Sequence, residues 1–340
     1  MPSDQNRLPV LDLSLIDSGR EDRTVFLTAL RSAARTYGFF YLTGHGVPAA
    51  ANDALLQFAR QFFSLPQADK DAIAMVNSRH FRGYNRAGLE YTRGRQDWRE
   101  QIDIGAEQQP VPPGEGVPAY ARLLGPNQWP PALPDFKHAV LDWQQRVTAV
   151  LLRLLRAFAL ALGQDEHVFA PIYDGAPHQL LKLIRYPGQD TAAGDQGVGA
   201  HKDSGLLSLI LQDDIGGLEV EVSPGEWVEA TPQPNTFVVN IGELLELASD
   251  GYLRATVHRV VSPPAGATRY SAAFFLGARL DATVPSLTLP PDLAAAARGF
   301  DRDPLNPLFH QVGQNTLKGR IRSHPDVAQR HHADLFALSS

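Results

Sequence analysis

Two histidines and one aspartate of this chain have the types and the spacing to form a metal centre. His201 and Asp203 lie two positions apart in the stretch Gly199–Gly205, and His258 follows further along the chain. Two imidazoles and one carboxylate on one side of a metal ion leave its other coordination positions open to small ligands. Because the chain contains no cysteine, a metal would have to bind histidine, aspartate, glutamate or backbone oxygen. The sequence therefore predicts a metal centre whose open positions could take part in a reaction.

A His-x-Asp pair is a weak signal by itself. With 11 histidines and 37 acidic residues in 340 positions, chance gives about one His-x-acid pair. The chain contains three: His201/Asp203, His324/Asp326 and His332/Asp334. The second and third lie in a polar, arginine-containing C-terminal segment without a strand pattern, and we interpret them as surface charge. The first directly precedes the apolar segment 206–211, which has the composition of a buried strand.

The strand context explains how three distant ligands could meet. At the end of a strand, residues two apart such as His201 and Asp203 point to the same side of a sheet. His258 is the only histidine between His201 and the last 31 residues, and it lies in the strand-like run 255–261. Strands far apart in sequence can lie side by side in a closed antiparallel double sheet. We therefore expect His258 to be the third ligand.

Arg269 and Ser271 follow on one face of another predicted strand. An arginine fork next to a hydroxyl is suited to bind a carboxylate with two hydrogen bonds. The apolar residues that follow, 272–276, indicate a buried setting, and a buried arginine needs an anionic partner. No acidic residue follows in the chain before Asp281, which favours a bound acid as the partner.

The elements that would position these residues fall into two groups. Apolar residues at helical spacing predict helices at about 22–37, 49–63 and 135–162, and helical composition recurs at 294–297 and 312–320. Beyond the long helix the period changes to about two residues. Strands are predicted at Gln179–Tyr186, Leu206–Leu211, Leu218–Val222, Thr236–Ile241, His258–Val261 and Arg269–Leu276. Many short strands with turn signals between them indicate a sandwich, a barrel or a jelly roll.

Two further segments have an unusual composition. The segment from Ser78 to Arg99 interleaves six arginines with aromatic residues. It is either a binding surface or a solvated loop whose arginines pair with Glu90, Asp97, Glu100 and Asp103. Between Gln108 and Pro134 there are eight prolines, which predict an irregular covering loop.

Charge and hydropathy restrict the partners. Charged residues make up 20% of the chain and its formal net charge is −6, so neither a nucleic-acid footprint nor a polybasic membrane patch is indicated. A small-molecule substrate is the expected partner, with no nucleic acid and no membrane; the sequence does not predict an oligomeric state. The polar start of the chain has no signal-peptide pattern, and the run Val147–Leu162 is too short and too charged to span a membrane. The expected location is cytoplasmic.

Motifs in both halves of the chain occur in a recognisable order. In the first half they are Leu8-Pro9-Val10-Leu11-Asp12, Tyr37-Gly38-Phe39-Phe40 and Gly44-His45-Gly46-Val47-Pro48. In the second half they are Arg185-Tyr186-Pro187, His201-x-Asp203, Gly216-Gly217-Leu218-Glu219-Val220, Trp227, Asn240-Ile241-Gly242, Thr256-x-His258-Arg259-Val260 and Arg269-x-Ser271. In order and spacing they resemble the Fe(II)/2-oxoglutarate-dependent oxygenases of the isopenicillin N synthase-like family.

The resemblance implies a fold and a set of ligands. The fold is mixed α and β, with a double-stranded β-helix (jelly roll) core supported by N-terminal, central and C-terminal helices. Fe(II) would be bound by His201, Asp203 and His258. The distal carboxylate of 2-oxoglutarate would be held by the cofactor-binding residues Arg269, Ser271 and Tyr186.

Two positions depart from the pattern of the family. Many relatives have asparagine where this chain has Ile184, which removes one expected contact to the co-substrate. The usual Asn-x-Gly-Asp reads Asn240-Ile241-Gly242-Glu243 here, and we interpret that position as structural.

The resemblance also implies how the chain is divided. An N-terminal non-haem dioxygenase region would span 8–134, a long supporting helix 135–175, the oxygenase core 176–285, and a C-terminal loop and helix 286–340. We expect these parts to form one compact unit.

The expected activity is that of a non-haem dioxygenase. It would oxidise a small organic molecule, most simply by hydroxylation, and would convert 2-oxoglutarate and O2 to succinate and CO2. Three alternatives remain open at this stage. One is an isopenicillin N synthase-like oxidase that uses O2 without 2-oxoglutarate. The others are a zinc hydrolase and a non-catalytic jelly-roll binding protein.

Overall fold

The computed structural model describes residues 7–112, 114–175, 177–189, 195–300 and 307–336. Its α-helices are α1 (Arg20–Thr36), α2 (Ala49–Ser64), α3 (Gln67–Asp71), α4 (Phe136–Ala161), α5 (Ala170–Tyr173), α6 (Glu243–Ala248), α7 (Pro291–Ala295), α8 (Val312–Ser323), α9 (Pro325–His331) and α10 (Ala333–Phe336). Short 3-10 helices occur at Leu13–Asp17, Met75–Asn77 and Ala119–Leu123. None of the described helices combines the length and the hydrophobicity needed to cross a membrane.

The strands form a large sheet, a smaller sheet and one short hairpin. They are β1 (Val10–Asp12), β2 (Phe39–Thr43), β3 (Gly83–Asn85), β4 (Tyr91–Thr92), β5 (Arg95–Gln96), β6 (Glu100–Gly105), β7 (Gln179–Pro187), β8 (Gln196–His201), β9 (Leu207–Gln212), β10 (Leu218–Ser223), β11 (Glu226–Glu229), β12 (Phe237–Ile241), β13 (His258–Val261) and β14 (Thr268–Leu276). The strand order of the large sheet is β1-β2-β12-β9-β14-β7-β6-β3, and the smaller sheet has the order β11-β10-β13-β8. The fold is therefore mixed α and β, built on a large, mainly antiparallel sheet.

The two faces of the large sheet have different environments. On one face, α4 packs against the sheet through Trp143, whose ring centroid is 6.2 Å from those of Phe237 and Phe274. On the other face, Ile184 and Tyr186 of the large sheet share a buried apolar cluster with residues of the smaller sheet. The second face is therefore the one that looks into the space between the sheets.

The periodic elements predicted from the sequence agree with the structure to within a few residues at their ends. The predicted helices at 22–37, 49–63 and 135–162 correspond to α1, α2 and α4. The predicted strands correspond to β7, β9, β10, β12, β13 and β14. Strands β3, β4, β5, β6, β8 and β11 were not predicted.

The interpretation of the two C-terminal His-x-Asp pairs as surface charge is wrong for their histidines. His324 is 1% exposed and His332 is fully buried. Helices α8 to α10 carry both imidazoles inward, where His332 stacks on Phe81 with 5.1 Å between ring centroids. Asp334 is exposed and pairs with Arg122. Burial by a distant part of the chain decides the environment of these imidazoles.

Candidate metal centre

The side chains of His201, Asp203 and His258 converge on one point. His201 is the last residue of β8 and His258 the first of β13, and the two are directly opposite each other in the antiparallel pairing of these strands. The Oδ1 atom of Asp203 is 3.6 Å from Nε2 of His201 and 3.8 Å from Nε2 of His258. One ligand atom from each residue can be chosen so that all lie within 4.8 Å of one another. A single metal ion can therefore contact all three.

Asp203 reaches this point from a turn rather than from the strand end that the sequence suggested. Its backbone carbonyl accepts a 2.8 Å hydrogen bond from the amide of Glu243. Gly242 lies against the same turn, where a Cβ atom would be 2.1 Å from the carbonyl oxygen of Gly205. The Asn-x-Gly-Glu segment thus has a structural role, as interpreted from the sequence, and Glu243 fulfils it through its backbone.

Backbone carbonyls set the tautomer of both imidazoles. Nδ1 of His201 is 2.8 Å from the carbonyl oxygen of Gly199, and Nδ1 of His258 is 3.2 Å from that of Thr256. Because a carbonyl only accepts, each Nδ1 carries the proton, and each Nε2 has its lone pair free. Phe39 packs edge-on against His258 at 5.0 Å between ring centroids. Both ring nitrogens that face Asp203 are therefore ready to act as metal ligands.

Two polar side chains of the large sheet hold the carboxylate of Asp203. The hydroxyl of Ser208 and the Nδ2 of Asn240 both donate to Oδ2, at 2.5 Å and 2.7 Å. Oδ1 is left to face the imidazoles. Sequence reasoning gave neither residue this role. The available signal was a polar residue inside each of two largely apolar strands.

The charges at the centre suit a divalent ion. Burial alone would raise the pKa of Asp203, but its contact with His201 and the nearby imidazole of His258 hold that pKa well below its usual range. Burial lowers the pKa of His258 to about 4, with His201 adding to the effect. One carboxylate and two imidazole nitrogens form a donor set that fits Fe(II).

Arg269 lies on the face of the large sheet that looks into the space between the sheets. Its side chain is 1% exposed, and its Nη2 donates a 2.9 Å hydrogen bond to Oε1 of Gln212. Its Nε and Nη1 have no hydrogen-bond partner among the described residues. The guanidinium carbon is 5.0 Å from the ring centroid of Tyr186. A buried guanidinium with two free donors is suited to bind a carboxylate.

The register of the sheet brings the other predicted co-substrate residues to Arg269. Tyr186 of β7 is directly opposite Arg269 of β14, and Ile184 is opposite Ser271. Since partners across a ladder point to the same side, all four face the space between the sheets. Ile184 supplies an apolar side chain there, so the missing asparagine contact is not replaced at that position.

The structure of the arginine-containing segment 78–99 agrees fully with neither of the two interpretations, a binding surface or a solvated loop. Arg99 pairs with Glu90 at 2.8 Å and with Asp97 at 3.6 Å, as the loop interpretation expected. These three side chains are buried rather than solvated. Arg82 is 1% exposed, which the loop interpretation did not expect.

Two family models match the chain. Residues 8–132 match the non-haem dioxygenase in morphine synthesis N-terminal model, and residues 177–278 match the 2OG-Fe(II) oxygenase superfamily model. The second match contains the three converging ligands and Arg269.

Curated relatives and solved structures agree with this assignment. The chain is 37% identical to the 2-oxoglutarate-dependent dioxygenase frbJ of Dothideomycetidae sp. (strain 11243), over 95% of this chain and 91% of that protein. It is 34% identical to the homoarginine-6-hydroxylase 2-ODD-C23.1 of Arabidopsis thaliana, over 85% and 90%. A full-length Neurospora crassa protein solved in complex with alpha-KG aligns with a TM-score of 0.75 at 26% identity, covering 94% of this chain and 97% of that one.

A bacterial structure gives the same result. A putative 2OG-Fe(II) oxygenase family protein from Caulobacter crescentus aligns with a TM-score of 0.73 at 31% identity, covering 92% and 99%. The resemblance inferred from the motifs is thereby confirmed. The chain belongs to the Fe(II)/2-oxoglutarate-dependent oxygenases of the isopenicillin N synthase-like superfamily, whose members use Fe(II), 2-oxoglutarate and O2 to oxidise small molecules.

Proposed function

We propose that His201, Asp203 and His258 bind the catalytic Fe(II) ion, and that Arg269 and Ser271 bind the distal carboxylate of 2-oxoglutarate. The observation that carries the proposal is the buried guanidinium of Arg269, two of whose nitrogens have no partner in the described part of the chain, on the face that also carries the side chains holding Asp203. A bound dicarboxylate would supply the missing acceptors. Tyr186, whose ring lies against that guanidinium, would contact the same carboxylate.

The proposal also includes the architecture of the core and the arrangement of the segments around it. The two sheets and the buried cluster between them support a double-stranded β-helix (jelly roll) as the core. The segments 8–134, 135–175, 176–285 and 286–340 would form one compact unit. One buried apolar cluster supports this, because it contains residues from Leu11 to Val312.

The chemistry would be hydroxylation. When bound, Fe(II) with 2-oxoglutarate and O2 supplies an oxidative decarboxylation that gives succinate and CO2 and places one oxygen atom in a substrate C–H bond. The protein's own contribution is orientation. Carbonyl groups fix the rings of His201 and His258, and Ser208 and Asn240 fix Asp203.

The substrate would be a small organic molecule, and homoarginine is the first candidate to test. Several curated relatives at 32% to 35% identity are named homoarginine-6-hydroxylases. Thymine and 5-formyluracil are bound in related structures of the Neurospora crassa protein, and both are also small molecules. The zinc hydrolase and the non-catalytic binding protein find no support among these relatives.

An oxidase that uses no 2-oxoglutarate is the second candidate. Arg269 and Ser271 would then bind the carboxylate of the substrate itself. The isoleucine at position 184, where many relatives have asparagine, is consistent with this alternative. The two candidates differ in whether 2-oxoglutarate reaches the metal.

An anaerobic titration separates them. Purified protein is loaded with Fe(II) and titrated with 2-oxoglutarate while visible absorption is followed. We expect a metal-to-ligand band, and we expect Arg269→Leu to weaken 2-oxoglutarate binding by about 30-fold or more, as the loss of a buried charge partner does. Arg95→Leu removes an exposed arginine and should leave the titration unchanged. A wild-type protein that shows no band and forms no succinate with any substrate would favour the oxidase.

A further inference from the structure

One row of side chains crosses the large sheet from the metal centre to strand β6. The register pairs Asn240 with Ser208, Ser208 with Phe275, Phe275 with Leu180 and Leu180 with Gly105. Residues paired in this way lie on one face of the sheet. Because Asn240 and Ser208 hold Asp203, this row begins beneath the metal centre.

The guanidinium of Arg82 lies over the other end of the row. A Cβ atom on Gly105 would be only 2.4 Å from Nε and Nη2 of Arg82, so the absence of a side chain at this position makes room for the guanidinium. Three strand spacings separate Gly105 on β6 from Ser208 on β9. At about 4.8 Å for each spacing, the two ends of the row are about 14 Å apart.

The residues between the two ends are apolar and partly accessible. Leu180, Ala273 and Phe275 are half-buried, and all three point into the space between the sheets. Their neighbours Leu181 and Phe274, which point toward the helices, are fully buried. These three side chains therefore form a partly accessible apolar strip on the face of the metal centre, between that centre and Arg82.

Arg82 has the same unusual environment as Arg269. Each is 1% exposed, and each has two guanidinium nitrogens without a hydrogen-bond partner among the described residues. Among the described residues, the guanidinium of Arg82 makes one hydrogen bond, a long contact of 3.4 Å from Nη2 to the carbonyl oxygen of Leu123. Other arginines with an unpartnered buried nitrogen in the described part of the chain have one such atom each.

The acids near Arg82 already have other partners. Asp103 accepts from Arg320 at 2.6 Å and from Gln101 at 2.8 Å. Glu107, further away, interacts with Lys137 and with the indole of Trp129. Two nearby imidazoles, those of His178 and His80, have pKa values that burial lowers, with Arg82 adding to the effect. Both are therefore neutral and offer no charge.

The buried charges of this region do not balance. The cations are Arg82, Arg99, Lys182 and Arg320, and the carboxylates are Glu90, Asp97 and Asp103. Every carboxylate in this set lies within 4.0 Å of a cation other than Arg82. Burial, with Arg320 adding to it, lowers the pKa of Arg82 to about 9, so the group stays charged at neutral pH at a cost.

We propose that Arg82 binds an anionic group of the substrate, so that the substrate is a small carboxylic acid whose charged end lies far from the carbon that is oxidised. The inference rests on the proposed function, because it takes the metal centre to be the site of oxidation. The carboxylate would bind the guanidinium of Arg82, whose Nε and Nη1 have no hydrogen-bond partner among the described residues, and the carbon chain would lie on Leu180 and Phe275. A carbon several bonds from the carboxylate would then face the metal. The homoarginine proposed above is such an acid.

The test compares acids with their uncharged amides. L-homoarginine and a series of straight-chain carboxylic acids, each with its primary amide, are added anaerobically to the Fe(II) and 2-oxoglutarate complex. Binding is measured from the perturbation of the visible band, and turnover from succinate. We expect at least one acid to bind, its amide to bind about 30-fold more weakly or worse, and Arg82→Met to remove that preference.

Two further variants control for structural effects. Arg79→Met removes an exposed arginine of the same segment and should keep the preference for the acid. Arg82→Lys keeps the charge and should bind the acid with intermediate affinity. In the absence of any acid, Arg82→Met should melt at or above the wild-type temperature, because it removes an unpaired buried charge. A merely structural arginine would instead give a lower melting temperature with the acid preference retained.

Several results would overturn the proposal. They are equal binding of acids and amides, wild-type affinity for acids in Arg82→Met, and failure of every acid in the series to bind the wild type. If Arg82→Met does not fold, the comparison of acid and amide binding to the wild type still tests whether the site requires a carboxylate. A failure of the proposed function is distinguishable, because the visible band of the iron and 2-oxoglutarate complex would then be absent before any acid is added.

Discussion

Asn240 donates a 2.7 Å hydrogen bond to Oδ2 of Asp203, and this contact leaves Oδ1 of Asp203 facing the two imidazoles. The same carboxylate oxygen also accepts from Ser208. Asp203 is therefore held in one orientation before any ion binds. A ligand that is already oriented loses little freedom on binding metal, so the hydrogen bond contributes to metal affinity although Asn240 does not contact the ion.

Asn240→Leu should weaken metal binding by about 10- to 100-fold, the usual effect of removing a group that orients a ligand. The measurement is an anaerobic Fe(II) titration, with Co(II) as a spectroscopic substitute. Asn77→Leu, at an exposed position, is the control. Wild-type metal affinity in Asn240→Leu would show that Asp203 is oriented by its backbone alone.

Gly242→Ala should disturb the turn that carries Asp203. The new Cβ would be 2.1 Å from a backbone oxygen, which cannot move aside as the end of a flexible side chain can. We expect a melting temperature several degrees lower and a loss of metal affinity that exceeds the loss of stability. Gly205→Ala is the matched control in the same turn, because a Cβ there meets nothing within 4 Å. Equal behaviour of the two variants would contradict this account.

The sequence predicts best what depends on local periodicity. The end of α1 is an example, because the predicted helix ends at 37 and the next residue, Gly38, has a φ of +66°, which glycine adopts easily. Strand β8 was not predicted, since its sequence Gln-Gly-Val-Gly-Ala-His contains few residues that favour strands. It forms by pairing with β13, and Gly199 in it is approached closely by Thr92. Such contacts are not encoded in any local pattern.

The candidate site shows the same difference between residues that a local pattern reveals and residues whose environment depends on distant parts of the chain. His201, Asp203 and His258 were predicted together and lie together, because a metal centre needs specific residue types that are visible in the sequence. Arg82 was seen only as one of many arginines. Its burial follows from the packing of β6 and of the segment around Leu123, which are distant in sequence.

Glu90→Leu should destabilise the protein strongly. Glu90 is buried between Arg99 at 2.8 Å and Lys182 at 2.7 Å, so its removal leaves two buried cations with one partner fewer. Breaking a buried pair in this way typically costs about 3–5 kcal/mol. The measurement is urea unfolding with the variant and the wild type in the same buffer.

The matched control for Glu90 is an exposed ion pair. Asp71 and Arg86 pair at the surface, where solvent screens the interaction, so Asp71→Asn should change the unfolding midpoint little. A small effect in both variants would mean that other groups compensate for the loss of Glu90. A large effect in both would mean that the surface pair is more important than its exposure suggests.

His324 should make the stability of the protein depend on pH in the mildly acidic range. Burial lowers its pKa to about 4, although Glu90 and Asp103 oppose the shift while Arg320 and Lys182 add to it. Arg320 can only donate, so Nε2 of His324, 3.2 Å from Nη1, must accept and cannot carry a proton. The unfolded chain, with an ordinary histidine pKa near 6.5, binds the proton first. The contribution of His324 to the free energy of unfolding is therefore fully present above about pH 6.5 and is lost as the pH falls toward 4.

The prediction is checked by urea unfolding at a series of pH values between neutrality and pH 4. A shift from 6.5 to about 4 corresponds to about 3 kcal/mol of unfolding free energy. His324→Gln keeps an acceptor for Arg320 but cannot take up a proton, so it should flatten this part of the profile. His167→Gln, which replaces an exposed histidine, should not. An unchanged profile in His324→Gln would assign the acid sensitivity to other groups, of which the buried carboxylates around Arg320 and Lys182 are the next to test.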